Sequence, residues 1–341
     1  EDVPTIADPT APAPYHAVHP AAARVFRQNQ VSANDYVVNT RVEQVIVVGH
    51  PTLHRDVMAL ISDPDVDLIS LSRTTDITNP RRVQSSDAHA TDTKTRIGTT
   101  VKVTGTPTSD WMKICEGAAV AGSDAVREAL ENTDHGFTGL HAAAAVTDTL
   151  AVGDALFVGA SNPIRDVSLV GMPFDGVEVY SPRGAAGIDG SISQALGVAI
   201  ATQTRERDLA RAPRTVALLG DITFLHDLTG MILGPEEIRP ENLTIVIAND
   251  NGGGIFESLE TGRLSLRGDF EKAFGTPHNV DIEPLIEGFG VDYRRADSAQ
   301  ELLDTLAELA EFAVGITVVE ARVARDTRRG LHAEISSKNA Y

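Results

Sequence analysis

Two short motifs place acid and amide oxygens at positions where this chain could offer them to a metal ion. Gly220-Asp221 follows the apolar run at residues 216–219, and an Asn-Asp-Asn-Gly-Gly-Gly motif at residues 249–254 follows the apolar run at residues 243–248. Such Val- and Ile-rich runs predict buried parallel strands, whose carboxyl ends form the ligand-binding edge of an open α/β sheet. Oxygen ligands suit Mg²⁺, and glycines let the backbone approach a phosphate closely. The spacing therefore predicts a metal-bound diphosphate.

A simpler interpretation exists for each motif. Asp221 could cap a helix, and Asn-Asp-Asn-Gly could be an ordinary turn. Either motif alone fits that interpretation, but the two together at the ends of two buried strands favour the metal-bound diphosphate. A nucleotide-binding P-loop is disfavoured, because no G-x-x-x-x-G-K-[ST] sequence occurs in the chain.

Two arginines follow other predicted strands of the same sheet. Arg165 lies in the segment 161–166 and Arg183 in the segment 181–190, each directly after a predicted strand. If the strand directions agree, both guanidinium groups point into the cleft that holds the metal, and arginine is suited to paired recognition of carboxylates. Each arginine taken singly could instead close a structural ion pair, for example Arg165 with Asp166. Two of them at one sheet edge favour a dicarboxylate substrate.

Apolar and imidazole side chains near these motifs have two interpretations. Ile188, Ile255 and Phe256 could form an apolar wall for a heterocycle, or they could belong to the core. His226 and His278 are candidate polar groups, and a structural role is favoured for each.

Composition disfavours several classes of partner. The 341 residues carry 29 Lys and Arg against 48 Asp and Glu, so the net charge of −19 would repel nucleic acid and anionic membranes. No stretch approaches the roughly 18 consecutive apolar residues of a membrane helix. Cys115 is the only cysteine, which rules out an internal disulfide and fits a reducing cytoplasm.

The chain is long for one domain, and its pattern predicts three segments. Residues 1–22 contain five prolines and predict an extended arm or linker. Residues 23–110 are predicted to form a central α/β domain and residues 111–341 a diphosphate-binding one, because strand and helix patterns alternate in both. The expected fold class is therefore α/β, with two doubly wound parallel-sheet domains.

The individual elements follow from the same patterns. Strands are predicted at residues 44–48, 66–71, 99–103, 155–159, 177–180, 216–219, 244–248 and 315–320, and helices at residues 53–61, 111–130, 140–150, 192–201, 224–233, 282–288 and 299–312. Residues 73–96 include five Arg and Lys, for which solvated surface charge is favoured over an anion site.

The motifs together resemble a known family. The spaced Gly-Asp and Asn-x-x-Gly pair resembles the diphosphate-binding signature of the thiamine-diphosphate enzymes. Within that superfamily, five segments resemble the synthases of the menaquinone pathway, and the combined set is far more specific than the Gly-Asp pair alone. These segments are residues 161–166, 183–190, 220–227, 249–256 and 274–278. The resemblance covers most of residues 150–280 and weakens over residues 1–110.

The resemblance implies a cofactor role for several residues. Asp221 and Asp250 would supply side-chain oxygens to Mg²⁺ or Mn²⁺, and Gly252 its backbone carbonyl, with Asn249 the less favoured ligand. Ile188 would be the apolar wedge that bends thiamine diphosphate. The implied cofactor-binding residues are Gly184, Ile188, Gly220, Asp221, Ile222, Thr223, Asp250, Gly252 and Gly253.

The resemblance also implies substrates and a reaction. Ser161, Arg165 and Arg183 would hold the carboxylates of 2-oxoglutarate and isochorismate, with Ile255 and Phe256 lining the same pocket. The implied reaction is decarboxylation of 2-oxoglutarate followed by addition of the succinyl carbanion to isochorismate, with the cofactor accepting the electron pair.

Two features depart from the family pattern. Pro182 stands before the arginine where members usually have an Asn, so an amide contact is lost. Members also begin with another α/β domain bearing the glutamate that activates the cofactor, and nothing before residue 43 resembles it. We therefore expect this chain to be the C-terminal part of a longer protein and to be inactive alone. Its site would be completed between subunits of a dimer or tetramer.

The alternative functions are another thiamine-diphosphate decarboxylase or acetolactate-type synthase, and a non-catalytic module that kept the metal-diphosphate fold.

Overall fold

The computed structural model describes residues 3–33, 36–71, 94–184, 186–205 and 211–338. Backbone contacts divide the chain into two units: the first comprises Glu1–Asp8, Pro14–Val126 and Glu334–Tyr341, and the second comprises Pro9–Ala13 and Arg127–Ala333. Both units contain a parallel sheet with flanking helices, which confirms the predicted α/β class.

The first unit is built on a small parallel sheet. Its strands are β1 (Gln30–Ala33), β2 (Tyr36–Asn39), β3 (Gln44–Val48), β4 (Asp67–Leu71) and β5 (Thr95–Gly98), and its helices are α1 (Ala23–Arg27), α2 (Arg55–Ser62) and α3 (Ser109–Glu131). β1 and β2 form an antiparallel hairpin, and the parallel strands pair in the order β3-β4-β5. Phe26 packs against Trp111 at a ring-centroid distance of 5.7 Å, beside buried Leu60 and Cys115.

Three features of this unit differ from the sequence patterns. The third parallel strand is β5 and not residues 99–103, because Thr95 to Gly98 pair with β4 whereas Val101 and Val103 are exposed. The change of unit falls inside the continuous helix α3, where helical periodicity gives no boundary signal, rather than at residues 110/111. The proline-rich segment ends in a 3-10 turn at Pro20–Ala22, with Val18 and Ala22 in the buried cluster. Most of the segment 73–96 lies outside the described residues.

The second unit is built on a six-stranded sheet in which every pairing is parallel. Its strands are β6 (Ala155–Val158), β7 (Glu178–Tyr180), β8 (Thr215–Gly220), β9 (Asn242–Asn249), β10 (Asp292–Ala296) and β11 (Gly315–Arg322). Its helices are α4 (Gly139–Asp148), α5 (Asn162–Leu169), α6 (Ser191–Arg205), α7 (Asp221–His226), α8 (Arg267–Phe270), α9 (Glu283–Gly288), α10 (Ala299–Phe312) and the first part of α11 (Arg328–Lys338). The strand order is β10-β11-β9-β8-β6-β7, so β8 and β9 lie side by side at the centre.

The apolar runs of the sequence explain this sheet. Ala217, Leu219, Ile245 and Ile247 pack with Phe224 in one buried cluster, as expected for central strands covered on both faces. The helix predicted at residues 224–233 is wrong in length: α7 ends at His226 and a 3-10 turn follows at Leu228–Met231. Within the described residues, no helix combines the length and the apolar character that crossing a membrane requires.

Candidate functional site

Asp221 joins the ends of the two central strands. It is the first residue of α7, directly after β8, and only 3% of its surface is exposed. Its Oδ1 accepts a hydrogen bond from the backbone N–H of Ile222 at 2.7 Å, and its Oδ2 accepts one from the N–H of Gly252 at 2.8 Å. A carboxylate that only capped its own helix would not reach the loop after β9, so the simpler interpretation of Asp221 does not account for its position.

Asp250 is the second acid at this sheet edge. Its Oδ1 is buried and has no hydrogen-bond partner among the described residues. Burial and, after it, the negative charge of Asp221 raise the pKa of the Asp250 carboxyl to about 7. A buried carboxyl atom without a partner, repelled by a neighbouring carboxylate, is the arrangement that a bound cation would relieve. The charge of one predicted acid therefore affects the protonation of the other.

The glycines of the loop after β9 are required by the space around them. A Cβ on Gly252, whose φ is +140°, would lie 2.1 Å from the carbonyl oxygen of Gly275, and one on Gly253 would lie 2.1 Å from that of Phe274. The Gly253 N–H donates to the Gly275 oxygen at 2.7 Å. The loop is therefore packed directly against the backbone of a second segment, residues 274–279.

Asn249 is committed to structural hydrogen bonds, which supports Asp250 as the ligand. The Asn249 side-chain N–H donates to Glu320 Oε1 at 2.6 Å, and its Oδ1 accepts from the N–H of Asn251 at 3.0 Å. The Gly252 carbonyl accepts the N–H of Gly254 at 3.1 Å, which leaves the second lone pair of that oxygen for another partner.

The residues present fit a hard divalent cation. Two carboxylates and one carbonyl are oxygen donors of the kind that Mg²⁺ takes together with phosphate oxygens. Among the described residues, no three or more His, Cys, Asp or Glu side chains gather in a metal-binding group, so a closed protein-only site is not formed there. A polar cavity of about 490 Å³ opens beside these residues at the ends of β9 and β11. Its lining includes Asp250, Asn251, His278, Asn279, Glu320 and Arg322.

The two predicted arginines interact electrostatically. Arg165 lies in the first turn of α5 and donates to the carbonyl of Ser161, whose φ of 80° is unusual for a non-glycine residue. Burial and then the charge of Arg183 lower the pKa of the Arg165 guanidinium. Asp166 does not pair with Arg165, because Arg328 holds it with bonds of 2.6 and 2.9 Å. The structural alternative for Arg165 is therefore not the one formed.

The remaining predicted residues differ in their exposure and in their packing. Ile222 and Ile188 are partly exposed, whereas Thr223 is buried at the start of α7, and Gly184 adopts a φ of 92°. Phe256 packs on Phe274 at a ring-centroid distance of 5.5 Å, within a 3-10 turn that also contains Ile255. No described contact places these side chains against the acids, so their cofactor and substrate roles stay predictions.

Two further residues lie at this site. His278, a candidate polar group for which the sequence favours a structural role, has its Nε2 3.0 Å from Asp221 Oδ2. The sequence motifs do not include the second residue, Arg325. Arg325 donates to the Gly275 carbonyl at 3.1 Å, and its charge lowers the pKa of Asp250 against the effect of burial. The positive charge at Arg325 carried no sequence signal, since it lies beyond the end of β11 and far from the motifs.

Comparisons with known proteins agree with this geometry. Residues 176–321 match the family described as thiamine pyrophosphate enzyme, C-terminal TPP binding domain. Three curated relatives are each described as 2-succinyl-5-enolpyruvyl-6-hydroxy-3-cyclohexene-1-carboxylate synthase. That of Corynebacterium glutamicum (strain R) is 58% identical over 99% of this chain and 60% of its own length. Those of Corynebacterium diphtheriae and Corynebacterium jeikeium are 51% and 43% identical over 97% and 98% of this chain and 59% and 56% of their own lengths.

The chain thus spans about 60% or slightly less of the length of these relatives. The family match covers β7 to β10 and all of β11 except its last residue, and therefore both acids and the glycines at residues 252–254 that follow Asp250. Arg165 and Ser161 lie before the matched range but inside the region aligned with the synthases. Residues 176–321 are therefore similar to the C-terminal domain that binds thiamine pyrophosphate in a family of enzymes, and the chain is similar over almost its whole length to 2-succinyl-5-enolpyruvyl-6-hydroxy-3-cyclohexene-1-carboxylate synthases.

Proposed function

We propose that this chain carries the diphosphate-binding and substrate-binding part of a synthase that depends on thiamine diphosphate and Mg²⁺. The reaction is decarboxylation of 2-oxoglutarate and addition of the succinyl unit to isochorismate, giving 2-succinyl-5-enolpyruvyl-6-hydroxy-3-cyclohexene-1-carboxylate in menaquinone biosynthesis. The product is the one named in the description of the curated relatives.

The observation that carries the proposal is the position of two acids, Asp221 and Asp250, at the ends of neighbouring strands. The two acids end neighbouring central strands, and the charge of one raises the pKa of the other. In this proposal Asp221, Asp250 and the Gly252 carbonyl hold the cation, and the glycine loop lets backbone N–H groups approach the diphosphate. Mn²⁺ would be held by the same oxygen atoms.

The paired arginines support a substrate with more than one carboxylate. The positive charge of Arg183 lowers the pKa of Arg165, and an anion bound between or beside the two arginines would offset this repulsion. 2-Oxoglutarate and isochorismate each carry two carboxylates. The arginines would fix these groups and so orient the reacting carbon atoms. When bound, thiamine diphosphate supplies the electron sink for loss of CO₂.

The same proposal also covers the cation, the oligomeric state and the cellular location of the protein. The cation in the cell is Mg²⁺, which the oxygen-only donor set suits. Copies of the protein assemble as dimers or tetramers, as the family resemblance implies. The protein works in the cytoplasm, which the single buried cysteine, Cys115, fits.

Calorimetry tests the cofactor part of the proposal. Thiamine diphosphate should bind the chain only with Mg²⁺ or Mn²⁺ present, and Asp221→Ala should weaken that binding at least tenfold. Asp292→Ala is the matched control, because Asp292 is an exposed acid that pairs with Arg294 and lies outside the residues implied to bind the cofactor. Equal affinity of the Asp221→Ala variant and the wild type would refute the ligand role of Asp221.

A hybrid protein tests the reaction. The chain is placed after the preceding segment of the Corynebacterium glutamicum relative, at the start of their alignment, and is given cofactor, Mg²⁺ and labelled 2-oxoglutarate with isochorismate. Release of labelled CO₂ together with the succinyl product is the expected result. A folded hybrid that binds the cofactor but releases no CO₂ would favour a non-catalytic binding module.

A further inference from the structure

The contact between His278 and Asp221 joins two segments that are far apart in the sequence. His278 Nε2 lies 3.0 Å from Asp221 Oδ2, and the two side chains are 12% and 4% exposed. We propose that His278 is a positioning residue of the metal site: it occupies Oδ2 of Asp221, fixes the carboxylate, and leaves Oδ1 as the oxygen that binds the cation. This inference rests on the proposed function, since it assigns a task within the same site.

The number of hydrogen bonds that each carboxylate oxygen of Asp221 accepts indicates which oxygen binds the cation. Each carboxylate oxygen has two lone pairs. Oδ2 of Asp221 already meets two donors, the Gly252 N–H at 2.8 Å and the imidazole of His278. Oδ1 accepts only the neighbouring N–H of Ile222 among the described hydrogen bonds, so it retains one lone pair. The cation therefore binds at Oδ1, while Oδ2 anchors the carboxylate.

The second ring nitrogen of His278 fixes which nitrogen donates. The backbone N–H of Val280 donates to Nδ1 at 2.9 Å, so Nδ1 carries no proton. The ring proton is then on Nε2 and points at Asp221. A hydrogen bond to the other nitrogen is the usual way in which a protein sets the tautomer and orientation of an imidazole.

The segment that carries His278 is held in place by contacts that need no metal. Asn251 and Asn279 exchange two hydrogen bonds, of 2.9 and 2.8 Å. The Gly275 carbonyl accepts from both Gly253 and Arg325. The imidazole is therefore positioned before any cation arrives, as a group that orients a metal ligand must be.

Four proteins separate this role from simple packing: wild type, His278→Asn, His278→Gln and His226→Gln. The amide N–H of Gln can replace Nε2 in donating to Asp221, whereas the shorter Asn reaches only the Nδ1 position. His226→Gln is the matched control, because His226 also contacts an aspartate, Asp189, at 2.8 Å, but both are exposed and lie outside the proposed metal site. His278→Met, which fills the volume without a donor, is the second variant if His278→Asn does not fold.

The readout is the affinity for Mn²⁺ in the presence of thiamine diphosphate, measured by electron paramagnetic resonance, beside the thermal unfolding of each metal-free protein. We expect His278→Asn and His278→Met to weaken Mn²⁺ binding about 10- to 100-fold, the usual effect of losing a group that orients a metal ligand. His278→Gln should stay within about threefold of wild type, and His226→Gln should equal it.

Unchanged Mn²⁺ affinity in His278→Asn or His278→Met would overturn the inference. Equal losses in the Gln and Asn variants, in parallel with loss of thermal stability, would also overturn it and assign His278 to packing. Failure of the wild type to bind Mn²⁺ with thiamine diphosphate would instead refute the proposed function, so the two failures are distinguishable.

Discussion

Arg328 and Asp166 form a buried ion pair that determines which groups the guanidinium of Arg165 contacts. Arg328 donates from Nη2 to Asp166 Oδ1 at 2.6 Å and from Nη1 to Oδ2 at 2.9 Å. The pair ties α5, which carries Arg165, to the start of α11. Asp166 is thereby occupied, and Arg165 turns to the Ser161 carbonyl and the neighbourhood of Arg183.

Removing one partner of this ion pair should destabilise the protein strongly. Asp166→Ala leaves the charge of Arg328 buried without its partner, and we expect a loss of about 3–5 kcal/mol in the free energy of unfolding. Urea titration measures the loss. Asp292→Ala, which breaks the exposed pair of Asp292 with Arg294, should cost less than about 1 kcal/mol. Similar losses in the two variants would contradict the assignment.

Asp250→Asn should stabilise the metal-free protein while weakening cation binding. Because the folded protein raises the pKa of Asp250 to about 7, the folded state binds the proton more tightly than the unfolded state. Stability from this group is therefore present at low pH and is lost as the pH rises through about 7. At pH 8 the variant should gain a few kcal/mol, at about 1.4 kcal/mol per pKa unit. Thermal unfolding without metal measures the gain, and a loss of stability would be the contrary result.

Arg183→Ala should affect the substrate and not the cofactor. Loss of a charge-assisted hydrogen bond worth about 1.5–3 kcal/mol should raise the KM for 2-oxoglutarate about 10- to 100-fold in the hybrid synthase. The Kd for thiamine diphosphate should change less than about twofold. Arg205→Ala is the control, because Arg205 pairs with Glu178 on the exposed surface. Weaker cofactor binding with an unchanged KM would reverse the two assignments.

His332 should make the stability of the protein depend on pH between about 4 and 6.5. Burial, and then the charge of Arg328, lower the pKa of His332 to about 4, and its Nε2 has no partner among the described residues. The unfolded chain binds a proton at higher pH than the folded protein, so stability is full above about 6.5 and falls as the pH drops toward 4. His332→Gln should flatten this part of the curve. An unchanged slope in urea titrations across that range would contradict the expectation.

Much of the fold could be predicted because its central elements depend on local patterns. The run of Val and Ile in β9 is buried on both faces, and the amphipathic pattern of α10 gives the same bounds, Ala299–Phe312, in sequence and structure. β10 escaped prediction because Asp292, Arg294 and Arg295 give it the polar composition of a loop, although it lies at the sheet edge beside β11. Strands at sheet edges tolerate polar and charged residues, so the apolar patterns that predict buried strands do not reveal edge strands.

The site could be predicted only where the motif itself supplies the chemistry. Asp221, Asp250 and the glycines after Asp250 are predicted because two such motifs follow two buried strands, whose carboxyl ends form the ligand-binding edge of the sheet. His278 is 57 residues from Asp221 in the sequence, and its approach depends on the path of the long segment after β9. Only tertiary packing determines that path, so no local pattern could reveal which of the two histidines meets an acid of the site.

The central claim is that Asp221 and Asp250 share one cation that anchors a diphosphate. A crystal structure of the protein with Mn²⁺ and thiamine diphosphate, with an anomalous difference map, tests it most directly. We predict a single peak within about 2.0–2.3 Å of one oxygen from each carboxylate and of the Gly252 carbonyl. A peak bound to other residues, or a bound cofactor with the two carboxylates too far apart to share one ion, would contradict the account.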